Sequence, residues 1–534
     1  MIKNTLIFIV VLLIYNNSIG QNVVKDVKAN FSLKDYKAVY KELAKKLSGD
    51  TNNVEYHYMY GVSLLETYID KQKSIKHLEF ALKSNYPDPM LLFYLGKAYQ
   101  LNYRFDEAVD KYFKFRTTAK LTPDELSAID RQIESCKNAK ILTKQKVNVS
   151  FENLGDKVNS PYNEVSPYIP ESEEYLIYSS DRDKTTGGLI NIDGSFFADL
   201  YMCDSKNDEF DKSKNMGGQF NSSNNDHIVG LSRNGNYLIV SRDQLGELSP
   251  SPVYDIFISE KKGKTFGPLQ LQSKTMNTQY LKSSVTLDEN GEYAYVSLFG
   301  KDSYGGYDIY IQRRLPNGEW SEPKNLGPEI NTPYDEDYPA IYDEGKTLYF
   351  CSRGHNSMGG FDIFKSEIDP KTMNWGKAKN LGYPINTPDD EKNISINIDE
   401  SAGYMSRNMD DAIGGLDIYK VTFNDVTPKY SIVTGQVQSS DSINLFQADK
   451  NLLNEDLVLI VTKRKSDEVI GKYRPNKTTG KYVIALNPGI YEIKASLPNY
   501  DELNQVIKIN GKSKYKTVII KPIVFYRPGK TPMK

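Results

Sequence analysis

The chain has 534 residues, a formal net charge of −2, 39% hydrophobic residues, 39 tyrosines and only four histidines. That length is too great for one core and asks for about three domains, while so few histidines leave little material for acid–base or metal chemistry. Charge is uneven, about +5 over residues 21–145, −17 over 146–427 and +9 over 428–534, so the acidic middle excludes nucleic acid as its partner.

The chain opens with Met1-Ile2-Lys3, an apolar run from Leu6 to Tyr15, and small or polar residues up to Gln21. A positive start, a short apolar core and such a cut site predict a secretory signal peptide over residues 1–20. The run is too short to span a bilayer comfortably, and no cysteine follows it to carry a lipid. An exported mature chain without a transmembrane segment is therefore expected. Cys136, Cys203 and Cys351 are odd in number and far apart, so they read as small buried hydrophobes rather than as a disulfide framework.

Residues 21–145 contain few Gly or Pro and space their apolar residues by three and four, which predicts helices. A unit of about 35 residues recurs: Tyr60-Gly61, Leu64, Ser74, Leu78, Ala81, Pro87, and then Leu92, Leu95-Gly96, Tyr99, Ala108, Tyr112, Pro123. This resembles the tetratricopeptide repeat, in which small residues let two antiparallel helices approach. The resemblance implies a short curved stack whose groove takes a partner protein, or else a packing shoulder for the next domain.

Residues 146–427 carry a five-fold phrase: Asp199-Leu200-Tyr201, Asp255-Ile256-Phe257, Asp308-Ile309-Tyr310, Asp362-Ile363-Phe364 and Asp417-Ile418-Tyr419. Each copy follows an Asn-Thr-like element, Asn159-Ser160, Asn221-Ser222, Asn277-Thr278, Asn331-Thr332 or Asn386-Thr387. Between them lie hairpins with Asn-Gly or Glu-Gly turns, at Asn234-Gly235, Asn290-Gly291 and Glu344-Gly345, which supply the positive φ that tight hairpins need. The second strand ends in Arg182, Arg242, Arg353 or Arg407, and the third copy departs with Ser297-Leu298. Units of this length cannot bury their own faces, so radial closure into a β-propeller is expected. The elements resemble the WD40-like repeats of the TolB propeller family, in the long form found in envelope proteins of Bacteroidota. Five blades are counted, or six if a further blade is assembled from both ends.

Propellers host glycosidases, which need carboxylates converging about 5 to 9.5 Å apart. The candidates Asp335, Asp337, Asp389 and Asp390 recur in register with the repeat, as structural residues do. The repeated Asp199, Asp255, Asp308, Asp362 and Asp417 and the repeated Arg182, Arg242, Arg353 and Arg407 are likewise assigned to pairing between strands or blades. His227 and His355 sit in ordinary loop contexts, and Asn191-Ile192-Asp193-Gly194 is too short for a calcium loop. No catalytic residue, cofactor or metal is expected, and the chain is read as non-enzymatic.

Residues 428–525 change to short alternating strands, from Val433-Thr434-Gly435 to Asn487-Pro488-Gly489-Ile490-Tyr491, which predicts a β-sandwich. The run from Gly480 to Tyr500 resembles the carboxypeptidase regulatory-like, transthyretin-like module, and residues 526–534 form a tail. The whole order resembles Bacteroidota envelope proteins associated with type IX secretion and gliding, which normally continue into an OmpA-like peptidoglycan-binding domain. None is seen before Lys534, so direct peptidoglycan binding is not expected. The resemblance implies a periplasmic, outer-membrane-associated scaffold for envelope proteins, with an exported glycan-binding or glycan-cleaving propeller as the alternative.

Overall fold

The computed structural model describes residues 26–529 except 50–51, 192–193, 207–208, 244–253, 264, 278–281, 426–429, 442, 465, 467 and 510–517. The expected signal peptide, the Ile192-Asp193 pair and the last five residues lie outside the described residues. The chain divides into two compact units, residues 1–91 with 192–194, and all the rest.

The first unit holds helices α1 (Val27–Ser32), α2 (Tyr36–Lys46), α3 (Val54–Glu66) and α4 (Lys71–Lys83). Each starts on a side-chain cap, Asp26, Asp35, Asn53 or Asp70, which accepts from an amide of the first turn that no helical carbonyl can reach. A Cβ on Gly61 would lie 2.8 Å from Leu78 Cγ, so glycine sets how closely α3 and α4 approach. His57 and His77 meet across this pair with their Nδ1 atoms 2.9 Å apart.

The second unit runs from the helices α5 (Met90–Leu101), α6 (Phe105–Thr118) and α7 (Pro123–Leu142) into a ring of five antiparallel sheets. Blade 1 contains Glu164–Tyr168, Tyr175–Ser180 and Asp199–Lys206, and blade 2 contains Asp226–Leu231, Tyr237–Asp243 and Tyr254–Lys262, each with two short outer strands. Blade 3 is Lys282–Leu287, Tyr293–Leu298, Asp308–Arg313 and Lys324–Asn325, and blade 4 is Glu336–Tyr342, Thr347–Ser352, Asp362–Glu367 and Lys379–Asn380. Blade 5 takes Ser395–Ile396, Ala402–Arg407 and Asp417–Phe423 from one end of the ring and Val149–Asn153 from the other. Val149 pairs with Phe423 and Asn153 with Tyr419. The two ends therefore combine, but into the outer strand of blade 5 rather than into a sixth blade.

The repeat has a hydrogen-bonding cause. Asn159, Asn221, Asn277, Asn331 and Asn386 each accept from the amide of Ile418, Leu200, Ile256, Ile309 or Ile363 at 2.8 to 2.9 Å. Each also donates to the carbonyl of that same residue. One side-chain amide thereby bonds both backbone groups of a strand residue, whose carbonyl also accepts from the backbone amide of Leu154, Met216, Gln272, Leu326 or Leu381. The C-terminal part packs two sheets around a core that includes Val433, Val437, Leu459, Ile484, Ile493 and Phe525. One sheet is centred on Ser431–Ser439 and the other on Leu459–Lys463 and Gly489–Ala495.

Candidate functional site

The repeated aspartates fasten the loop before their own strand to the outer strand of the blade. Asp199 accepts from the Thr186 amide and Asn215, Asp308 from Tyr304 and Asn325, Asp362 from Met358 and Asn380, and Asp417 from Ile413 and Asn153. Asp255 pairs through its backbone with Arg242.

The repeated arginines have partners that the sequence reading missed. In four of the five copies an acid, Glu164, Asp226, Glu336 or Glu391, stands four residues after the Ser or Thr of the Asn-Thr element, and the Ser160, Ser222, Thr332 or Thr387 amide and hydroxyl bind its carboxylate. The fixed spacing of four was the available signal. Arg182 lies 3.2 Å from Glu164, Arg242 2.5 Å from Asp226 and Arg407 3.9 Å from Glu391. Blade 3 has Leu298 at the arginine position and Lys282 at the acid position, so both members change together. Blade 4 keeps both residues and separates them. Arg353 turns to Asp390 at 3.2 Å and Asp335 at 3.9 Å, leaving Glu336 with the neutral donors Thr332 and Ser352. Burial pushes the Glu336 carboxyl up to about 8, because a desolvated carboxylate favours its neutral form.

Helix α7 meets the same loop. Arg131, 5% exposed, donates to the carbonyls of Arg353 at 2.7 Å and Gly354 at 2.6 Å and to Ser357 Oγ at 2.7 Å. Its guanidinium stacks over Tyr334 at 4.7 Å.

The centre of the ring is filled by side chains. Tyr168 donates to the Val229 carbonyl at 3.1 Å, and buried Asp337 accepts from Ser283 and Ser284 of blade 3. A Cβ on Gly230 would meet the Val285 carbonyl oxygen at 2.0 Å, so inner strands 2 and 3 touch backbone to backbone. Arg233 reaches across to the carbonyls of Ile396 and Asn397, both at 3.1 Å, and stacks over Tyr342. Of the four candidate acids, Asp337 is thus enclosed, Asp335 and Asp390 flank Arg353, and Asp389 is half-buried beside Thr387.

A concavity lies elsewhere, where blades 1 and 5 meet the sandwich. It encloses about 240 Å³ and is lined by the hairpin Glu171–Glu173, by Ser205, Asn397–Asp399, Tyr404, Lys420 and Thr422, and by Lys463, Arg464 and Pro488–Ile490. Two ion pairs fix its width: Arg464 with Glu174 at 3.1 Å and Lys508 with Glu171 at 2.5 Å. Glu171 and Glu174 are 6% and 7% exposed, while the side chains of Lys508 and Arg464 are 34% and 40% exposed, so solvent screens these pairs in part. Glu173 has a positive φ of 50°, a conformation that costs a non-glycine residue energy and recurs at binding sites. Its carboxylate accepts from Tyr404 Oη at 2.9 Å and Asn397 Nδ2 at 3.2 Å. Asp399 is held by the amide and hydroxyl of Ser401. The cleft thus presents two carboxylates oriented by neutral donors, together with serine and threonine hydroxyls and cations.

Cys136, Cys203 and Cys351 are buried and unbridged, as expected. His227 is half-buried in the inner strand of blade 2 rather than in a loop, and His355 Nε2 donates to the Ile330 carbonyl at 2.8 Å. Among the described residues no group of three or more His, Cys, Asp or Glu is placed to hold a metal, and no helix is long and apolar enough to cross a membrane.

No protein-family model matches the chain, and no curated protein sequence does. Solved structures similar to it include the α-L-arabinofuranosidase from Lactobacillus brevis, at 10% identity and TM-score 0.31, covering 57% of this chain and 96% of that one. The endo-arabinase from Bacteroides thetaiotaomicron shares 12% identity at TM-score 0.32, covering 52% of this chain and 98% of that one. The GH32 β-fructofuranosidase of Bombyx mori shares 8% at TM-score 0.31, covering 73% and 92%. At these identities and TM-scores no residue or activity is carried over from the likeness. It corrects one expectation. The expectation of a non-enzymatic chain does not stand, as glycoside hydrolases are among these similar structures.

Proposed function

We propose that this chain is an exported protein that holds a glycan segment in the cleft between its propeller and its C-terminal sandwich. The observation that carries the reading is the pinning of Glu173 and Asp399 by Tyr404, Asn397 and Ser401. Each of these donors is neutral, and lone pairs on each carboxylate remain for a ligand. Fixed charged acceptors suit the hydroxyl donors of a sugar, because charge-assisted hydrogen bonds are roughly twice as strong as neutral ones and a rigid acceptor costs no ordering entropy on binding. Ser205, Ser401 and Thr422 complete a lining that is mostly polar. In this reading the helix pairs are tetratricopeptide-like repeats and the sandwich is a carboxypeptidase regulatory-like module, in a protein of the Bacteroidota envelope.

Calorimetric titration of the mature chain with neutral and acidic oligosaccharides tests the proposal. Saturable binding that Glu173→Gln weakens supports it, and absence of heat with every glycan class overturns it. A second reading, a scaffold for outer-membrane or secretion components, is favoured by the outer sandwich face. There Val483, Val518 and Ile520 are 59%, 52% and 81% exposed on the strands that flank Ser431–Ser439. Charging that face with Val483→Lys and Ile520→Lys would then release the chain from its envelope complex without changing glycan binding.

A further inference from the structure

The charges around the cleft do not cancel one by one, and the remainder indicates what kind of glycan it takes. On the sandwich side Arg464 is matched by Glu174 and Lys508 by Glu171, and on the propeller side Arg233 lies 3.6 Å from Glu171. Lys463 is also engaged. Lys420 is different. It sits in the third strand of blade 5, directly opposite Tyr404 on one side and Glu152 on the other, half-buried in the cleft lining. Glu152 does not come within 4.0 Å of its ammonium, and Lys420 has no ion pair among the described residues.

A half-buried ammonium that shares a cleft with the hydroxyls of Thr422 and Ser401 and pairs with neither Glu173 nor Asp399 is a receptor for an anion. The geometry points to a glycan bearing a monoanionic substituent, a uronic acid carboxylate or a sulfate ester, seated on Lys420 while its hydroxyl groups bind Glu173 and Asp399. Glu173 and Asp399 then set the orientation, and Lys420 selects against neutral sugars, because a neutral ligand leaves the ammonium desolvated and unpaired. This inference rests on the glycan-cleft reading and adds the substrate class to it.

The test uses the whole mature chain and three probes in calorimetry: a short oligogalacturonide, a sulfated oligosaccharide and a neutral arabino-oligosaccharide. The expected result is that one acidic probe binds roughly tenfold or more tighter than the neutral one, and that Lys420→Met removes that preference. The methionine keeps the aliphatic stem, and Glu173→Gln should weaken acidic and neutral probes alike. Which acidic probe wins separates carboxylate from sulfate. Equal binding of neutral and acidic probes, or an acidic preference that survives Lys420→Met, overturns the assignment to Lys420 and leaves the glycan reading standing. Binding of no probe by the folded parent overturns both.

Discussion

Replacing Arg131 by methionine should loosen the 353–358 loop of blade 4 selectively. The guanidinium makes three short bonds, to Arg353 O, Gly354 O and Ser357 Oγ, and its side chain is 6% exposed. Glu134, its ion-pair partner at 2.9 Å, is 55% exposed, so that pair adds little. Hydrogen bonds from a charged donor contribute about 1.5–3 kcal/mol each and are not additive, so a total of roughly 3–5 kcal/mol is expected. Methionine fills much of the volume, which keeps the packing over Tyr334 from dominating the result. A chain of several domains need not unfold in one step, and native-state hydrogen exchange reads the loop directly. The amides of Gly354, Ser357 and Met358, bonded to Ser352 Oγ, Gly354 O and Asp362 Oδ2, should exchange at least about a hundredfold faster. Sandwich amides such as those of Val461 and Ile493 should not change. Acceleration below about tenfold at the loop, or equal acceleration in the sandwich, would refute the assignment of α7 as its buttress.

Asn331→Ala removes both bonds to Ile309 and one to Asn325 from a site 2% exposed. It should cost about 2–3 kcal/mol, seen as a lower denaturant midpoint for the propeller transition. The Glu336 carboxyl, raised to about 8 in the fold from about 4.3 in the unfolded chain, is protonated preferentially in the native state. Its contribution is therefore complete below about pH 4 and is lost as pH rises through about 8. Glu336→Gln should flatten that part of the stability–pH curve and raise stability above pH 8, and an unchanged slope would show that Glu336 titrates normally. Asp362, also raised to about 8 by burial, should retain its share of the slope in that variant.

How much of this was legible in the sequence depends on the range of the interaction. The Asn-Thr and Asp-Ile-Tyr elements are local to one blade and recur five times, so the ring and its period could be read from spacing. The acids Glu164, Asp226, Glu336 and Glu391 recur as regularly but differ in identity, which hid them. Lys282 and Leu298 illustrate the point, because the lost arginine was visible while its meaning depended on an unrecognised partner. Arg353 could not be foreseen as the exception, since its diversion coincides with Arg131, 222 positions away. The cleft was invisible for the same reason. Glu173, Lys420 and Arg464 belong to three remote segments, and only ring closure through Val149–Asn153 and the seating of the sandwich bring them together.

The measurement closest to the central claim is hydrogen exchange of the whole chain with and without a saturating oligogalacturonide, resolved by segment. The account predicts slower exchange in residues 171–174, 397–404 and 488–490, which form the cleft, and none in the 299–307 loop, where Phe299 and Tyr304 are each 49% exposed. Protection confined to that loop, or no protection in the cleft under conditions where binding is measured, would contradict it.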